Sequence, residues 1–172
     1  AVAADRDRVA GERDAAAHER EALRHRAWAL EGERDHLRAR IEQDQQTVER
    51  KKREAYMTAG IAKLTAAVER AARAGARRVV VYGAGEVGRL AVKACLGVGL
   101  DVVAVTDSNP DCWRTRAAGV AVVPPSAALA KKMDAIVVGS FSRFAEIRRG
   151  LRVALGRRAA RVTITGVSHP WV

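Results

Sequence analysis

Val79-Val80-Val81-Tyr82-Gly83-Ala84-Gly85-Glu86-Val87-Gly88 is the stretch on which the fold turns. A β-branched run ends in glycines, and helical periodicity follows from Val87 to Val98. A lone G-x-G-x-x-G says little, but this one follows a strand and opens a helix. An acidic residue, Asp107, also closes the next apolar run, 22 positions after Gly85. Gly83 then permits a tight turn, Gly85 lets a phosphate approach the backbone, and Gly88 lets the helix lie against the strand. Free amides at the start of the helix face such a ligand. The reading carries its own alternatives. The glycines also suit a plain βα turn, and Asp107-Ser108-Asn109-Pro110 is good turn chemistry in which Asp107 is only a cap. Glu86 satisfies the helix dipole itself and repels a pyrophosphate placed against it.

Outward from the loop, strand and helix patterns alternate. Val102–Thr106, Val120–Val123, Ala135–Gly139 and Arg161–Thr165 read as strands, and Ser126–Lys132 and Phe141–Leu155 as helices. Right-handed crossovers predict an α/β domain with a five-stranded parallel Rossmann-like sheet of order 3-2-1-4-5. The loop Gly139-Ser140-Phe141-Ser142-Arg143 should line the same crevice, although Ser140 or Ser142 serves equally well as a helix cap. The expected binding residues are Gly83, Ala84, Gly85, Glu86, Val87, Gly88, Asp107, Ser108 and Ser140. The expected ligand is a nucleotide, with no metal.

The N-terminal part keeps another period. Val2, Val9, Ala16, Leu23, Leu30 and Leu37 recur every seven residues, with Arg6, Arg13, Arg20, Ala27, Arg34, Ile41 and Val48 facing them. That is a coiled-coil seam, weak in its Arg-rich early heptads. A helix over residues 2–50 would be about 73 Å long. Self-association is expected, a parallel dimer being the simplest closed form; a solvated single helix held by Glu–Arg pairs is the alternative. The pattern breaks at Lys51-Lys52-Arg53, and Ile61, Leu64, Val68 and Ala71 or Ala72 form a one-sided stripe that Gly75 should stop. The expected divisions are 1–54 coiled-coil helix, 55–76 packing helix, 77–168 nucleotide-binding domain and 169–172 tail.

The 172 residues carry a net charge of +11. Residues 1–54 hold 13 Lys+Arg against 13 Asp+Glu, while residues 55–172 hold 18 against 7, so the whole excess lies in the globular part. It favours an anionic ligand or surface, and an Arg- and Ala-rich codon bias explains it equally well. Aromatic content of 4% leaves no residues interleaved with the arginines as a nucleic-acid platform needs, so nucleic acid is not expected. Cys95 and Cys112 are too few for a disulfide framework and fit no metal spacing. No run is long and apolar enough for a membrane span, and no signal-peptide pattern opens the chain. Ala1 in place of Met is compatible with a processed chain or a piece of a larger one. The expected location is cytoplasmic, at the inner face of the membrane through partners. No catalytic constellation stands out: His18, His25 and His36 lie on the polar helix, and His169 stands in the tail.

Val79 to Leu90 and Val105-Thr106-Asp107-Ser108-Asn109-Pro110 resemble the short Rossmann module of bacterial envelope-sugar enzymes, the nucleoside-diphosphate-sugar epimerase/dehydratase-like kind. Such modules are also appended to glycosyltransferases and methyltransferases. Gly119-Val120-Ala121-Val122-Val123-Pro124 and Asp134 to Ser140 are similar to its third and fourth strands, with Ala121 and Thr115 departing from the usual Pro and Gly. The resemblance implies a nucleotide-sugar ligand lined by Gly83, Gly85, Gly88 and Asp107, and an accessory, non-catalytic role in glycan biosynthesis beside a fused or associated glycosyltransferase or methyltransferase. An NAD(H) sensor and a coiled-coil scaffold with a vestigial loop are the alternatives.

Overall fold

The computed structural model describes residues 2–168. It divides into two compact units, Ala1–Lys52 and Arg53–Val172. One helix, α1 (Val2–Arg73), supplies the described part of the first unit and the start of the second. The first proline is Pro110, so nothing interrupts its hydrogen bonding, and the pattern break at Lys51-Lys52-Arg53 leaves the backbone helical. In the first unit the seam is bare: Leu23, Leu30, Leu37, Ile41 and Val48 are 49% to 58% exposed. His18, His25 and His36 are exposed as well, while His169 lies outside the described residues.

In the second unit the same helix acquires a core face. Leu64, Ala67, Val68 and Ala71 are buried. Gly75 ends the helix in a Schellman motif: its φ is +95°, Gly75 N–H donates to Ala72 O at 3.0 Å and Ala76 N–H to Ala71 O at 3.1 Å.

The chain continues through β1 (Arg78–Tyr82), α2 (Glu86–Gly97), β2 (Asp101–Thr106), β3 (Arg116–Ala117), β4 (Val120–Val123), α3 (Pro125–Ala130), β5 (Ala135–Val138), α4 (Phe144–Leu155) and β6 (Thr163–Gly166). The sheet is six-stranded and mixed, in the order β3-β4-β2-β1-β5-β6. Its β4-β2-β1-β5-β6 pairings are all parallel. The expected five-stranded, all-parallel sheet is therefore not matched exactly, because β3 adds an antiparallel edge to β4. Two residues are too short to show a period, and the β3–β4 turn is built by Ala118 (φ +47°) and Gly119 (φ +86°). The Asn-Gly pair that announces such a turn is absent. Helix α4 begins later than expected, because residues 139–143 form a separate loop.

Helices cover both faces. Leu64, Val68 and Ala71 of α1 join Ala91, Val92 and Cys95 of α2 over Val79, Val81 and Val105. Ala128 of α3 and Phe144, Leu151 and Leu155 of α4 cover Val80, Ile136 and Val138. The central strands β1 and β5 are thus apolar on both sides, as a parallel sheet between helices requires. Asp134 fixes their start: its Oδ2 accepts from Arg77 N–H at 2.9 Å and Arg78 N–H at 2.8 Å.

Candidate functional site

β1 and β5 are neighbours whose crossovers leave on opposite sides, so a crevice opens where their carboxyl ends part. Three glycines close its floor. Gly83 has φ +114°, and a Cβ there would lie 2.9 Å from Gly139 O. At Gly88 a Cβ would run into Gly83 O, and at Gly139 it would lie 2.5 Å from Gly88 Cα. The start of α2 is thereby pressed against the ends of both strands with no side chain between. Gly83 N–H donates to Thr106 O at 2.7 Å and Gly139 N–H to Tyr82 O at 2.8 Å, which carries the ladder into the loops.

Gly85 differs from all three. Its φ of −71° suits any residue, and a Cβ built on it meets nothing within 4 Å. It is exposed, forms the N-cap of α2 and provides no side-chain cap. The first-turn amides of this 12-residue helix thus open outward beside a position that neither packing nor backbone strain reserves for glycine.

Asp107 joins the loop from β2. Its Oδ2 accepts from Ala84 N–H at 2.7 Å and its Oδ1 from Asn109 N–H at 2.9 Å. The turn-capping alternative is therefore realised, and the same carboxylate also ties the glycine loop to the next strand. A carboxylate accepts about four hydrogen bonds, so two loop amides leave room for a hydroxyl. Ser108 is exposed beyond it. Ser140 accepts from Arg143 N–H at 3.3 Å, as a turn-forming hydroxyl does. Glu86 is exposed and Val87 half-buried. The structure thus gathers the loop residues, Asp107 and Ser140 around the carboxyl ends of β1, β2 and β5.

Two arginines that the motif does not announce complete the rim. Arg89, one turn into α2, reaches Ala84 O with Nη1 at 3.4 Å. Arg143 grips Glu146 through Nε–Oε2 at 3.0 Å and Nη2–Oε1 at 2.7 Å. That hydrogen-bonded pairing raises the Arg143 pKa and lowers that of Glu146, with Tyr82 and Asp107 adding to the Arg143 shift from across the crevice. Arg89's place four residues after Gly85 was the available signal for it. The loop carrying Arg143 is anchored by Phe141, which is buried edge-on to Tyr56 with ring centroids 6.0 Å apart. Its ring lies where a Cβ on Gly60 would be.

Trp113 was also missed. Its indole N–H donates to Asp107 O at 2.8 Å and closes the loop after β2. Beside it lies a groove of about 490 Å³, whose lining includes Trp113, Arg114, Arg116, Val123 and Pro124. Arg114 holds a left-handed φ of +66° there, uncommon for a side chain of its size.

Among the described residues no group of three or more His, Cys, Asp or Glu is placed to hold a metal. Cys95 is buried, and burial pushes its thiol up to about 12, which leaves it a packing residue. No described helix is long and apolar enough to cross a membrane. The family profile described as C2185-like, N-terminal, matches residues 75–162, the stretch that builds this crevice. No curated protein matches the chain.

Proposed function

We propose, for a chain that belongs to the C2185-like, N-terminal family, that the crevice at Gly83–Gly88 binds a nucleotide and that a nucleotide sugar is its natural ligand. Gly85 is the observation that carries this reading. Gly83 and Gly88 are accounted for by the backbone they touch, whereas the open space at Gly85 is what a phosphate needs to reach the first-turn amides of α2. Arg89 and Arg143 offset Glu86 at the rim, and the free lone pairs of Asp107 suit a ribose or sugar hydroxyl. The Trp113 groove offers room for the rest of the ligand. The module holds the ligand without transforming it and associates with its own kind through α1. It serves a glycosyltransferase or methyltransferase of envelope-glycan synthesis from the cytoplasmic side. Asp107 at the end of β2 also supports a second reading, an NAD(H) sensor, since its carboxylate suits a 2′-hydroxyl and disfavours a 2′-phosphate.

A thermal-shift panel of UDP-, GDP- and TDP-sugars, NAD(H), NADP(H), coenzyme A and S-adenosylmethionine tests both. At a concentration near 100 Kd a true ligand stabilises the fold by about 2.7 kcal/mol. Gly85→Val should leave the unliganded melting temperature nearly unchanged and abolish the shift. Selective stabilisation by NADH moves the reading to the sensor. No shift from any nucleotide at millimolar concentration overturns nucleotide binding.

A further inference from the structure

We infer that the Trp113 groove receives a second anionic group of the same nucleotide, held by the Arg114 guanidinium and separated from the phosphates at Gly85 by the hydroxyls at Asp107. The inference rests on the nucleotide reading of the crevice. It adds the chemistry of the ligand's far end, a sugar carboxylate or a further phosphate.

The sheet sets the order of the contacts. Gly85 follows β1, Asp107 follows β2, and Val123 and Pro124 stand at the end of β4, with β2 between the other two strands. Neighbouring strands lie about 4.8 Å apart, so two steps span about 10 Å, within reach of one nucleotide. Hydrogen bonds join the three loops. Asp107 Oδ2 accepts from Ala84 N–H at 2.7 Å, and Asp107 O accepts from the Trp113 indole N–H at 2.8 Å. A ligand with hydroxyls on Asp107 next meets the groove of about 490 Å³.

The charge of that groove is one-sided. Arg114 and Arg116 line it, and no carboxylate does. Arg116 Nη1 donates to Gly119 O at 2.7 Å, which ties that side chain to the β3–β4 turn. The Arg114 guanidinium has neither a hydrogen bond nor an ion pair among the described residues, so its planar fork of donors is left for a carboxylate or a phosphate. Trp113, Val123 and Pro124 give the groove an apolar wall, beside which such a pair is stronger than in open water.

The backbone distinguishes Arg114 from the other surface arginines. It stands at φ +66° just after the single 3-10 turn Pro110–Cys112. Glycine takes that left-handed position without strain, and asparagine with little. A compositional bias towards arginine puts it where lysine would serve, not where glycine is the unstrained residue. Ala118 shares the left-handed region, but in the tight β3–β4 turn and with only a methyl group to place. A long charged side chain held at a backbone cost beside a groove free of carboxylates points to an anion that it binds.

The test titrates the full chain with pairs of nucleotides that differ by one anionic group. They are UDP-glucose and UDP-glucuronate, GDP-mannose and GDP-mannuronate, and dephospho-coenzyme A and coenzyme A. In at least one pair the more anionic member should bind roughly tenfold more tightly. A preference within a sugar pair identifies the group as a carboxylate, and one within the coenzyme pair as a phosphate. Arg114→Gly should melt no lower than wild type without ligand, keep its affinity for the less anionic member and lose the preference. Arg114→Asn should do the same, and Arg114→Lys should retain most of the preference. Equal binding within every pair, or a preference that survives Arg114→Gly and Arg114→Asn, overturns the second anion site and leaves nucleotide binding standing. No binding of any nucleotide at millimolar concentration overturns nucleotide binding itself, and the anion site with it.

Discussion

Helix α1 has two regimes in one unbroken run of turns. From residue 11 to Lys52 nearly every side chain is exposed, leucines included, whereas between Arg53 and Arg73 a full face is buried. The backbone geometry is the same and the cause is not. The later segment is helical where packing of Leu64, Ala67, Val68 and Ala71 rewards it. The earlier segment has only Ala, Glu, Arg and Leu propensity and exposed pairs such as Lys52–Glu49 at 2.9 Å. Helicity alone thus says nothing about what a helix is packed against, and the leucine stripe is exposed within the chain.

The largest expected effect falls on the exposed regime. Leu30→Ala with Leu37→Ala should cost roughly 2–3 kcal/mol of association per site and yield monomers by sedimentation. Ligand-induced shifts at Gly83–Gly88 should stay intact, since the substitutions and the glycine loop belong to separate compact units. Unchanged dimers would mean that the stripe is not the seam.

Next comes the packed regime. Leu64→Ala, at 1% exposure, should destabilise the domain by about 3 kcal/mol in urea unfolding, whatever the state of association. Leu30→Ala, measured on the same domain transition, should be nearly silent. Equal losses from both would erase the distinction between the regimes.

How much of this could be read beforehand follows the same division. The β-branched runs around β1, β2, β4 and β5 were legible, because buried parallel strands leave no polar face. The stop at Gly75 and the stripe from Leu64 to Ala71 were legible because a cap and a one-sided period are local signals. The edge hairpin was not, since Ala118 takes a left-handed turn position without advertising it. At the site, the motif pointed to the glycines but could not separate Gly83 and Gly88, fixed by contact with backbone, from Gly85, where an added Cβ would meet nothing. The loop Gly139–Arg143 was placed at the crevice by the strand order and Arg89 by its spacing from Gly85, whereas Trp113 depends on how the loop after β2 closes, which no linear spacing records.

The smallest effect concerns charge. The pairs of the exposed segment, Arg34–Asp35 and Lys52–Glu49, lie in water and should contribute almost nothing to stability. Asp134 is differently employed, because its carboxylate receives the amides of Arg78 and Arg77, and those hydrogen bonds hold its pKa below the ordinary carboxylate value. A depressed folded-state pKa means stabilisation that is complete above the unfolded value of about 3.9 and lost as pH falls through the folded one. With its side chain still 37% exposed, the effect is modest. Asp134→Asn should cost about 1 kcal/mol at pH 7. Urea titrations should show that difference holding down to roughly pH 5 and closing as the solution is acidified from about 3.9 through the lower folded-state value, below which the wild-type carboxyl is also neutral. A gap at Asp134 that persists at low pH would mean that the side chain acts there through packing, and that its charge does not fix the start of β1.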